Sequence, residues 1–159
     1  MKKRKHKENV NNQINSRLFN YWKDTDISLM LIAVVYTVLM LFLSLKYHRI
    51  GGYEVEADFY ADFVVVAKKL LAGDFSPVNF NLKGPVYYVL LVLFKLVFRD
   101  YFRAGLIMNV LAAGGVTWLV LSIVRRLFGI KEAVLAALFT LSNFAFLHYT
   151  YSVGTDMVM

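Results

Sequence analysis

The chain has 159 residues, 58% of them hydrophobic, and a formal net charge of +7. The length fits about one domain, but the apolar residues are too many and too unevenly spread for an ordinary soluble core. Cysteine is absent, which excludes disulfides and thiolate metal sites. These properties together indicate a membrane protein.

Residues 1–26 form a basic arm that holds seven lysines and arginines against three acidic residues. One interpretation is an arm that binds nucleic acid. A basic flank beside a spanning helix more often fixes the orientation of that helix, because basic residues remain on the cytoplasmic side. We therefore predict a cytoplasmic tail at 1–26 and no nucleic-acid partner.

Three long runs contain no charged residue: 27–45, 104–124 and 133–155, with 19, 21 and 23 residues. About 20 apolar residues in a helix cross the hydrocarbon core of a bilayer. The sequence therefore predicts an all-α, multi-pass membrane protein with three transmembrane helices.

The loop at 46–84 follows the first span and balances five cations against five anions. With the basic tail in the cytoplasm, this loop is predicted to lie on the external face. Apolar residues at spacings of three and four predict a first interfacial helix at 57–72, which Gly73 can end in a left-handed conformation. Asp58 and Asp62, four residues apart, then share one helical face.

Pro85–Phe98 is apolar but short. As a helix it extends about 21 Å, less than the hydrocarbon core of about 30 Å, so we predict a second interfacial helix rather than a span. This layout also returns the basic cluster at 125–131 to the cytoplasm, as the charge rule requires. The run at 133–155 then leads outward, and Asp156 emerges on the same external face as Asp58.

Several other residues receive structural interpretations. Asn143 and His148 lie inside the third predicted span, where we expect hydrogen bonds between helices. The small residues at 112–115 are typical of a close helix contact, and Lys68 and Lys69 of anchors at the interface. An interfacial aromatic belt is predicted at four tyrosines: Tyr87, Tyr88, Tyr149 and Tyr151.

Asp58, Lys83 and Asp156 are the candidate site residues. A carboxylate and a nearby cation at a membrane surface suit group transfer from a lipid-linked phosphate, because the base accepts a proton while the cation stabilises the leaving phosphate. Each residue also has a structural interpretation. Asp58 can cap a helix or interact with its dipole, Asp156 can be a solvated helix end, and Lys83 can contact headgroups.

Four segments occur in a recognisable order: "EADFYADFVVVAKKLLAGDFSP", "LKGPVYYVLLVLFKLVF", "VRRLFG" and "YTYSVGTDM". This order resembles the N-terminal portion of the dolichyl-phosphate-mannose protein mannosyltransferase-like glycosyltransferases, a family that includes lipopolysaccharide glycosyltransferases. The resemblance covers about residues 25–159. It implies that 27–159 is the N-terminal part of a membrane domain with the GT-C fold.

The resemblance also implies roles. Asp58 in "EADFY" matches the acidic residue that acts as general base, and Asp156 in "GTDM" matches a second acid that positions the acceptor or a divalent cation. Lys83 matches a lysine that binds the donor phosphate, although Gly84 stands where the family usually has a proline. Phe59 follows Asp58 where many relatives have a glutamate.

The implied reaction is an inverting transfer of a sugar from a polyprenyl-phosphate donor to a hydroxyl on a lipid, glycan or protein acceptor. It takes place at the external face of the plasma membrane. Relatives are several times longer, so we expect residues 1–159 alone to be an inactive fragment. The rival hypothesis is a small non-catalytic membrane subunit that binds a partner or lipid headgroups. A transporter is disfavoured, because no ionisable relay lies inside the spans.

Overall fold

The structure is a computed structural model that describes residues 27–48, 59–80 and 84–153. Within these ranges every regular element is helical, as the sequence predicted. In chain order the elements are α1 (Ile27–Tyr47), a π-helical turn (Phe59–Phe63), α2 (Val64–Leu71), a 3-10 turn (Pro77–Phe80), α3 (Pro85–Phe98), α4 (Tyr101–Leu127), α5 (Ile130–Ser142) and α6 (Phe144–Tyr151).

Helices α1 and α4 are each long and apolar enough to cross a membrane, and they pack antiparallel. Thr37 in the middle of α1 lies against Gly114 in the middle of α4. His48, just past the end of α1, stacks on Phe102 in the first turn of α4, with ring centroids 5.2 Å apart. A Cβ at Gly114 would collide with Thr37, which confirms the predicted close helix contact at Gly114, whereas a Cβ at Gly115 would meet nothing within 4 Å.

The helix α3 has the predicted bounds. Pro85 occupies its first turn, where the missing N–H costs nothing because that donor has no partner inside the helix. Arg99 ends α3 in the left-handed conformation with φ 61°, and Asp100 begins α4 by accepting a hydrogen bond from the Arg103 N–H at 2.8 Å. With 14 residues, α3 is shorter than a membrane span.

Helix α2 ends as the sequence predicted. Gly73 adopts a φ of +86°, which a residue with a Cβ rarely tolerates. Its N–H donates to the Leu70 carbonyl, and the next N–H, of Asp74, donates to the Lys69 carbonyl, both at 3.0 Å. This pair of bonds is the Schellman motif, which satisfies carbonyls at a helix end.

The third predicted span is not one continuous helix. Two helices, α5 and α6, replace it and are bent by 60° relative to each other. Asn143 lies at the break with ψ 118°, and its Oδ1 accepts a hydrogen bond from the Phe146 N–H at 3.0 Å. The predicted bond from Asn143 to another helix is therefore wrong, since this side chain caps α6. Residues 27–48, 59–80 and 84–153 contain two candidate spans, or three if the bent pair is one span.

The predicted aromatic belt is wrong for two of its tyrosines. Tyr87 and Tyr88 are each only 1% exposed. Both pack on Phe63, with ring centroids at 4.9 and 5.9 Å, because the inward face of α3 meets the first helical segment of the loop. These rings belong to the core that joins the loop to α4.

Candidate functional site

The three predicted site residues, Asp58, Lys83 and Asp156, lie outside the described residues. Their described neighbours in the sequence are Phe59, Gly84 and Val153. Phe59 follows Asp58 directly, and Val153 precedes Asp156 by three residues.

Phe59 and Val153 meet at Gly105, in the second turn of α4. A Cβ placed on Gly105 would lie 2.7 Å from Val153 Cγ1 and 2.9 Å from Phe59 Cε2. The side chains of Phe59 and Val153 are fully buried. A glycine is needed here, because any side chain would displace one of the two neighbours.

A hydrogen bond holds the end of α6 against α4 one turn further along. The Asn109 side-chain nitrogen donates to the Ser152 carbonyl at 2.8 Å in a buried environment. A buried carbonyl beyond a helix end needs such a partner, so Asn109 fixes the path of the chain where α6 ends.

The end of α1 reaches the same place. The His48 ring lies 4.5 Å from the Tyr151 ring and 5.2 Å from the Phe102 ring, measured between centroids. The end of α1, the start of α4 and the end of α6 are thus gathered in one region. We call this region the convergent end: His48, Phe59, Phe102, Gly105, Tyr151 and Val153.

Two grooves of about 500 and 540 Å³ flank α1, and apolar side chains line almost all of both. A smaller groove of about 290 Å³ lies in the loop and differs in chemistry, because charged and amide groups point into it. We call it the loop groove, and it is lined by Asp62, Val65, Val66, Lys69, Val78, Asn79 and Tyr88.

The polar wall of the loop groove is tied to the 3-10 turn. Lys69 Nζ donates to Asn79 Oδ1 at 3.0 Å. Just outside, the Asp74 carboxylate accepts a hydrogen bond from the Ser76 N–H at 3.0 Å. This bond chiefly, then the Asn79 side chain and the charge of Lys69, hold the pKa of Asp74 below its ordinary value. Asp74 beside the turn is therefore held in its ionised form, and the turn places Asn79 at the groove.

Tyr88 also lines the loop groove. Its side chain is 1% exposed, and burial raises the pKa of the Tyr88 hydroxyl, with a further contribution from the negative charge of Asp62. The hydroxyl therefore remains protonated at neutral pH and can donate a hydrogen bond.

The described ranges contain no group of three or more histidine, aspartate or glutamate side chains that could hold a metal ion. The loop groove is lined by one carboxylate, Asp62, and one ammonium, Lys69.

The sequence interpretation missed part of this groove. Lys68 and Lys69 were both predicted to be interfacial anchors, but Lys69 bonds to Asn79 across the turn. No signal marked Asn79, because its approach depends on the 3-10 turn folding back on α2. The sequence predicts only that Asp62 and Asp58 share one helical face, and it does not assign Asp62 to a site.

Comparison of the chain with known protein families, with characterised proteins and with solved structures finds no significant match. The resemblance drawn from the four ordered segments therefore stays a prediction.

Proposed function

We propose that the chain is the N-terminal part of a membrane glycosyltransferase. It transfers a sugar from a polyprenyl-phosphate donor to a hydroxyl acceptor at the non-cytoplasmic face. The observation that carries the proposal is the convergent end, where the neighbours of Asp58 and Asp156 meet on α4 within 3 Å of one point.

The covalent chain limits how far either carboxylate can be from this point. The Cα of Asp58 lies about 3.8 Å from the Cα of Phe59, and the three residues from Val153 to Asp156 extend at most about 11 Å. Both carboxylates can therefore reach one site beside Gly105. A shared site is the condition under which two acids act on one acceptor.

The arrangement of α1 and α4 supports the proposed topology. Because His48 lies against Phe102, the end of α1 and the start of α4 lie at the same end of this helix pair. If α1 and α4 span the bilayer, the segment between them, which includes α3, therefore starts and finishes on one side of the membrane. With the basic arm at 1–26 in the cytoplasm, the convergent end lies on the external face.

The proposed chemistry assigns one role to each candidate. Asp58 accepts the proton of the acceptor hydroxyl, and the oxygen attacks the anomeric carbon of the sugar. The bond from that carbon to the phosphate oxygen breaks, and polyprenyl phosphate leaves with its negative charge near Lys83. Asp156 positions the acceptor or a divalent cation.

The test is turnover by the product of the intact reading frame, with a radiolabelled polyprenyl-phosphate sugar and membranes that supply acceptors. Asp58→Asn should lower turnover about 10²–10⁴-fold, the usual contribution of a positioned base. Glu56→Gln, two residues away in the same loop, is the matched control and should stay active. Equal turnover in both variants would eliminate Asp58 as the base. Absence of turnover in the unsubstituted protein would favour the non-catalytic subunit.

A further inference from the structure

We propose that the loop groove binds a single sugar ring of the acceptor, so that the acceptor is a glycan or glycolipid. The binding itself is independent of any transfer reaction. The place of the groove in that reaction rests on the proposed function.

The size of the groove sets the size of its ligand. Small-molecule sites usually occupy about 300–1,000 Å³, and the loop groove, at about 290 Å³, is at the lower limit. One ring with its hydroxyls fits this space, whereas a nucleotide or a long chain does not. The groove would therefore hold one residue of a larger molecule.

The charges of the groove select hydroxyl groups. A phosphate would face the Asp62 carboxylate, and a cation would face the Lys69 ammonium. A hydroxyl satisfies both, since it donates to a carboxylate and accepts from an ammonium. Lys69 uses one of its three donors on Asn79, which leaves two for a ligand.

The remaining walls suit the ring itself. Val65, Val66 and Val78 supply apolar surface for the C–H faces of a sugar, and the buried Tyr88 ring lies behind this surface. Binding sites commonly combine apolar walls with a few placed polar groups that fix orientation. Each type of group on a sugar ring therefore has a partner in the groove.

The groove is close to the convergent end along the chain. The π-helical turn Phe59–Phe63 begins at the convergent end with Phe59 and carries Asp62 into the groove. π-Helical segments occur often at functional sites. A ring held in the groove would contact Asp62, three residues along the chain from Phe59.

The experiment measures binding by the whole chain in lipid nanodiscs. Saturation-transfer NMR follows methyl α-D-mannopyranoside and methyl β-D-glucopyranoside, with sodium phosphate and choline chloride as charged competitors. We expect at least one glycoside to bind with a dissociation constant in the millimolar range, as is usual for so small a ligand. Neither charged competitor should displace it.

Substitutions locate the binding. Asp62→Asn and Lys69→Gln should each weaken binding about ten-fold, because each removes a hydrogen bond to a charged group. Lys68→Gln, next to Lys69 but outside the groove, should bind as the unsubstituted chain does, and thermal unfolding checks that all variants fold. Absence of glycoside binding, displacement by phosphate, or unchanged binding in Asp62→Asn would overturn the proposal. The Asp58→Asn variant should still bind the glycoside even if its turnover is lost. Failure of the groove proposal can therefore be distinguished from failure of the proposed function.

Discussion

Helices α1 and α2 differ in their exposed surfaces. The buried stripe of α1 consists of Leu29, Ala33, Tyr36, Met40 and Ser44, and most of its exposed surface is apolar. In α2 the buried side chains are apolar, and the exposed surface carries Lys68 and Lys69. The exposed apolar surface of α1 includes Leu31, Val35, Val38, Leu39, Phe42 and Leu45.

This difference is compatible with different surroundings for the two helices. In water, a helix buries its apolar face and exposes polar residues, whereas in lipid apolar side chains face outward. The exposed surface of α1 is that of a helix long and apolar enough to cross a membrane. We expect α2 and the loop groove to lie at the aqueous boundary, where polar ligands are available.

A lysine on the outer surface of each helix tests this comparison with the largest expected effect. Val38→Lys in α1 should disfavour membrane insertion by about 3 kcal/mol, the cost of a charge near the centre of a spanning helix. Leu71→Lys in the last turn of α2 should be nearly neutral, because a cation there complements the helix dipole. Glycosylation mapping of insertion in microsomes measures both. Equal insertion of the two variants would contradict the comparison.

Two glycines of α4 test whether the convergent end is as closely packed as described. Gly105→Ala should destabilise the fold by about 1–3 kcal/mol, because its methyl group meets Phe59 and Val153. Gly115→Ala is the matched control: a Cβ there meets nothing within 4 Å, and alanine favours a helix. Unfolding in mixed detergent micelles gives both values. A neutral Gly105→Ala would indicate that the two segments do not meet at α4.

The smallest expected effect concerns the pKa of Tyr88 in the loop groove. Asp62→Asn should lower this pKa, because a negative charge is removed, but the pKa should stay above 10 since burial is the larger cause. The folded chain holds this proton more tightly than the unfolded chain, so its stability falls as pH rises above about 10, and the fall is smaller in Asp62→Asn. NMR titration of ¹³C-labelled tyrosine measures the shift. Asp74→Asn is the control. An unchanged Tyr88 pKa in Asp62→Asn would show that the Asp62 carboxylate does not act on the Tyr88 hydroxyl.

Local signals in the sequence predicted the helix boundaries that depend on backbone chemistry. Pro85 and Gly73 act through their own φ angles, so their effects did not require knowledge of the tertiary structure. The break at Asn143 was missed because an asparagine within a long apolar run does not interrupt the hydropathy pattern, although its side chain can cap a new helix.

The site depended more on tertiary contacts. Tyr88 was assigned to an aromatic belt, since tyrosine at an interface and tyrosine in a core look alike in a sequence. Asn79 joined the groove through a turn whose direction no residue pattern revealed. Helical spacing placed Asp62 on one face with Asp58, but it did not assign Asp62 to a groove.

The most direct test is the sidedness of positions 58 and 156. The natural chain contains no cysteine, so Asp58→Cys and Asp156→Cys each introduce a unique thiol. An impermeant maleimide applied to right-side-out and inverted vesicles reports which side each thiol faces. Labelling of both positions from the external side alone is the predicted result. Labelling of the two positions from opposite sides would contradict the shared site beside Gly105 and the transfer reaction built on it.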